Sequence, residues 1–197
     1  MQKFIKHASI ALVLLAAMTR SAHAHPGHDV SSLLNGLAHP LSGLDHLLAM
    51  IAVGLWAAQL GGRARWLVPA GFVGVLTLGG ALGLSGVALP FAESGVAASV
   101  LILGVLIAVA ARLPLAASVA VVGVFALCHG FAHGAEMPAT DSAAAYGAGF
   151  VLASAMLHLA GILLALAAAQ KNSRPAIPVL RLAGAALAVA ALVIWAV

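Results

Sequence analysis

Charge is scarce in this chain. Only 7% of its 197 residues are Asp, Glu, Lys or Arg, against roughly 25% in a soluble domain. Mean hydropathy is +1.13, and 63% of the residues are hydrophobic. These values exclude an ordinary soluble domain and imply an integral membrane protein, with one unit of packed helices as its simplest architecture. Cysteine is nearly missing as well. Cys128 is the only one, so no intrachain disulfide can form, and a thiolate-lined copper(I) route is disfavoured. No strand leads into a glycine-rich phosphate loop, so the chain does not itself use ATP. The pI of about 10.0 does not signal nucleic acid. Lys3, Lys6 and Arg20 belong to a targeting segment. Of the other six Lys and Arg, five fall in short loops, where orientation signals belong, with Arg181 just beyond the last of them.

Histidine is what the chain has in excess, with nine. In Cys128-His129-Gly130-Phe131-Ala132-His133-Gly134-Ala135-Glu136, two imidazoles four residues apart share one helix face, and Glu136 follows on that face. In His39-Pro40-Leu41-Ser42-Gly43-Leu44-Asp45-His46, two histidines seven apart share a face if one helix runs through them, with Asp45 in reach of the same pocket. Ionisable groups inside a membrane helix default to function. Together these residues make an N/O donor set suited to nickel, zinc, copper or iron. Cys128 and Met50 are read as packing residues. Pro40, Gly43, Gly130 and Gly134 are expected to loosen the segments that line the cavity.

The order of segments follows from apolar runs and breakers. Residues 1–24 read as a cleavable signal peptide: a positive start, an apolar core over 8–18 too short to span, and Ala22-His23-Ala24 as cleavage site. Cleavage would make His25 the mature N-terminus, near His28, and that pair with the free amine is either a metal-capturing tip or a plain polar tail. The remainder, 25–197, reads as one all-α domain of six transmembrane helices at about 37–60, 66–89, 95–111, 115–134, 143–169 and 178–197. Pro40 is placed in the first turn of the first helix. The glycines of the second helix are read as close-packing positions. With the mature N-terminus in the periplasm, Arg63, Arg65, Arg112, Lys171 and Arg174 fall on the cytoplasmic side, and Glu93, Glu136 and Asp141 fall outside, as the positive-inside rule requires. Both histidine clusters then occupy the outer half of the membrane. His158 is one step deeper, either a second station for an ion or a histidine bonded to a neighbouring carbonyl.

At these residues the chain resembles the HupE/UreJ family of bacterial nickel permeases. The His-x5-Asp-His motif is present as His39, Asp45 and His46. The second motif is present as His129, Gly130, Ala132, His133, Gly134 and Glu136, with Cys128 where the family has Phe. The resemblance covers essentially the whole chain. It implies secondary uptake of Ni²⁺, with Co²⁺ in some relatives, across the bacterial inner membrane for hydrogenase or urease maturation. The metal is then a substrate and no cofactor stays bound. The alternative is an intramembrane zinc-dependent hydrolase, because Ser42-x3-His46 and Ser154-x3-His158 loosely resemble membrane amidases, which need about three protein ligands and an open position. A metal sensor without flux is a third reading.

Overall fold

The computed structural model describes residues 28–171 and 177–196. The expected signal peptide, His25 and most of the 170–174 loop lie outside them. Among the described residues the structure is entirely helical, with seven helices. They are α1 (His28–Ser42), α2 (Leu44–Leu60), α3 (Ala64–Leu84), α4 (Ala92–Ala108), α5 (Leu115–Ala135), α6 (Ala143–Lys171) and α7 (Ile177–Ala196).

The first expected helix is therefore wrong in form. It is two helices, α1 and α2, bent by 84° at a one-residue break. Pro40 lies in the last turn of α1, not in the first turn of a helix. Its ring removes the N–H that would bond Gly36, so that turn is already weak. The Ser42 hydroxyl then donates to the His39 carbonyl at 2.6 Å, and Gly43 is extended (φ −99°, ψ 124°). A fresh helix begins when Leu47 N–H donates to Gly43 O at 3.0 Å. The other boundaries move by a few residues. The helix expected to reach residue 89 stops at Leu84, because Gly86 takes φ +76°, a conformation that favours glycine.

Packing pairs α3 with α5 and α4 with α7, and sets α1 and α2 against α6. Gly71 faces Val119, Gly79 faces Leu127 and Gly83 faces Phe131, so α3 and α5 run the same way. Gly130 and Gly134 sit inside regular α5 helix and do not loosen it. A Cβ at either position would meet the α3 backbone at Leu76 or Gly80, so their role is close helix approach. Trp56, Phe72, Met50, Leu76, Leu103 and Ile107 are fully buried at the centre. Trp66, Leu78, Leu163, Leu182 and Val193 are more than half exposed, an apolar exterior that needs lipid.

Four helices are long and apolar enough to cross a membrane, or five if the bent pair is one span; Ala92–Ala108 is a shorter apolar helix. The chain is a multi-pass membrane protein. Its two ends differ. At one, Trp56 Nε1 and Gln59 Nε2 donate to Ala111 O and Ile107 O, and Arg181 Nε donates to Ala108 O at 2.8 Å. A cavity of about 240 Å³ there is lined by Gln59, Arg65 and Arg112. At the other, Asp141 accepts from Ser32 Oγ (3.1 Å) and Asn35 Nδ2 (3.0 Å), tying α1 to the α5–α6 connection.

Candidate metal centre

Four histidines converge at that second end. α1 delivers His39, α2 Asp45 and His46, and α5 His129 and His133, while Glu136 caps the end of α5. His39 and His46 do not share a helix face, as one continuous helix would have required. They approach from two helices at a bend, and His133 stands between them. Its ring centroid is 4.4 Å from that of His39 and 4.0 Å from that of His46. His46 and His129 are 4.6 Å apart. The i, i+4 spacing of His129 and His133 places both on the inward face of α5, at 0% and 3% exposure.

The cluster has two overlapping groups whose donor atoms lie within 4.8 Å of one another: His46, His129 and His133 inside, and His39, His133 and Glu136 toward the rim. His39 Nε2 is 3.4 Å from Glu136 Oε2, and Glu136 is half exposed, so the outer group opens to the surroundings. Asp45 Oδ1 accepts the His46 backbone N–H at 2.8 Å and lies 3.0 Å from His46 Nδ1. Ser99 Oγ lies 3.0 Å from His129 Nε2. After these contacts His46 Nε2, His129 Nδ1 and both nitrogens of His133 are buried with no hydrogen-bond partner, and His133 Nδ1 lies 4.0 Å from Glu136 Oε2. Burying an unpaired polar atom costs about 1–3 kcal/mol. Several imidazole nitrogens left open around one point, with a carboxylate at the rim, can coordinate a transition-metal dication.

His158 belongs to neither group. It is 1% exposed, midway along α6, and its ring touches Phe72 at 5.0 Å. Phe72 also contacts His129 at 5.8 Å. Neither nitrogen of His158 has a protein partner, so the carbonyl bond that was one expectation does not form. His28 opens α1. Cys128 faces α4, beside Val96 and Gly95, away from the imidazoles. Met50 is in the core.

The sequence did not single out Ser99, Phe72, Tyr146 or Phe150. Phe150 packs on His133 at 4.2 Å, and Tyr146 lies 5.8 Å from His39. The only tyrosine and a lone serine within an apolar run were the available signals. A cavity of about 420 Å³ between α3, α5 and α6 reaches His133, Tyr146 and Phe150.

The family described as HupE / UreJ protein matches residues 12–194. Protein HupE of Rhizobium leguminosarum bv. viciae is 46% identical over 190 residues, covering 94% of this chain and 100% of that protein. No solved structure matches significantly. With near-complete coverage on both sides, the chain belongs to the HupE/UreJ family.

Proposed function

We propose that the protein carries a divalent transition-metal ion, Ni²⁺ foremost and Co²⁺ as a second substrate, across the bacterial inner membrane without using ATP. The observation that carries this reading is the set of open ring nitrogens on His46, His129 and His133. A hydrated ion would exchange water first at the rim, on His39 and Glu136, and then in the inner group. His133 belongs to both groups, which supports a hand-over without release. Asp45 acts by orienting His46 and adding negative charge nearby. His158 is a deeper station, lying along α6 between the outer cavity at Phe150 and the basic-end cavity at Ala165. His25 and His28 would meet the ion first in the periplasm. Six crossings follow if the α1–α2 pair and α4 each count as one, with the His-rich end outside and the arginine end cytoplasmic.

The hydrolase alternative gains no support. Each serine it would use is tied to backbone, Ser42 Oγ donating to His39 O at 2.6 Å and Ser154 Oγ to Phe150 O at 2.8 Å. Radiolabelled nickel accumulation in cells tests the transport reading, with cobalt as competitor. His133→Ala is expected to abolish uptake. Undiminished uptake in a His46→Ala, His129→Ala, His133→Ala triple variant would overturn it.

A further inference from the structure

Ser99 lies outside both histidine motifs, on α4, fully buried. Its Oγ makes two contacts, 2.6 Å to Val96 O and 3.0 Å to His129 Nε2. A carbonyl oxygen can only accept, so the shorter bond takes the single hydroxyl proton. What the serine oxygen then offers His129 is a lone pair, and Nε2 must carry the ring proton to use it. A neutral imidazole has one N–H. His129 Nδ1 is therefore a bare lone pair, and it is the ring atom left buried without a protein partner.

We propose that Ser99 is a positioning residue of the metal site: it sets the tautomer and ring orientation of His129 so that Nδ1 is the atom presented to the cation. This rests on the transport reading above. Asp45 does the same for the neighbouring ring with the opposite result. Its Oδ1 accepts a hydrogen bond from His46 Nδ1–H at 3.0 Å, leaving Nε2 open. Two rings 4.6 Å apart thus present different nitrogens to one site, each fixed by an acceptor behind it. Partners behind metal-binding histidines act in this way and are worth roughly 10–100-fold in metal affinity. In the other tautomer, His129 would aim an N–H at the cation and leave Nε2 facing α4.

The test uses full-length protein in detergent, wild type, Ser99→Ala and Ser99→Thr, with Ni²⁺ or Co²⁺ as probe. Nitrogen-15 NMR of metal-free wild type is expected to show His129 protonated at Nε2. Ser99→Ala is expected to lose that tautomeric preference and to bind metal about 10–100-fold more weakly, with Ser99→Thr restoring both. His129 protonated at Nδ1 in the wild type overturns the proposal whether or not any variant folds. Wild-type affinity in Ser99→Ala overturns it while leaving the transport reading intact. A wild-type chain that binds neither ion overturns both.

Discussion

His133 is the most exposed to judgement of the four clustered imidazoles, because it is buried and neither of its nitrogens has a hydrogen-bond partner, the nearest carboxylate oxygen, on Glu136, standing 4.0 Å from Nδ1. A histidine kept for packing would have found at least one. If its place is held for an ion, an apolar ring of similar shape should suit the metal-free protein better. His133→Phe is expected to stabilise the metal-free chain by about 1–3 kcal/mol, the penalty of the unpaired polar group, while abolishing uptake. Thermal unfolding in detergent beside a transport assay checks both halves. For Asp45, whose carboxylate holds His46 by both ring and backbone N–H, Asp45→Ala is expected to weaken nickel binding about 10–100-fold, measured by metal titration of purified protein. The residue types were legible in the sequence: His39, His46, His129, His133 and Glu136 all reach the cluster. Ser99 and Phe150 were not, because a buried serine or phenylalanine looks the same in sequence whatever it touches.

Helices were legible where apolar runs end at a breaker, as at both ends of α5. They were misread where the run continues through a break. Residues 37–60 keep one apolar character, and Pro40 reads equally well as the start of a helix or as its weakened last turn. Only the packing of the preceding turns on α6 decides, since Gly36 approaches the Tyr146 carbonyl and Gly149 approaches Leu33. The bend then gives the site its ligands from two directions. Close approach also sets the depth of the next histidine. A Cβ on Gly54 would meet the His158 carbonyl on α6, where backbone cannot swing aside. Gly54→Ala is expected to destabilise the protein by about 1–3 kcal/mol through overpacking, read as a lower midpoint of thermal unfolding in detergent.

At the scale of the whole molecule, charge among the described residues is sorted by end. Arg65, Arg112 and Arg181 gather around the Gln59 cavity and the ends of α2 and α4, whereas Asp45, Glu136 and Asp141 surround the histidines or tie α1 down beside them. This separation was legible from loop composition alone, because it depends only on how many times the chain reverses. The convergence of two segments about ninety residues apart was expected from their shared depth, and the ring contacts of His46 with His129 and His133 agree with it. Which other helices line the cluster was not legible, since no periodicity says which helices touch. Orientation has a direct check. In a Cys128→Ala background, Ala139→Cys is expected to react with an impermeant maleimide on intact spheroplasts, and Gly62→Cys only after lysis. The central claim, an imidazole-bound cation between α2 and α5, is tested most directly by X-ray absorption at the nickel edge of the loaded protein. Multiple-scattering features of about three imidazoles are expected, falling stepwise in His46→Ala and His129→Ala. An all-oxygen first shell, unchanged by either substitution, would contradict it.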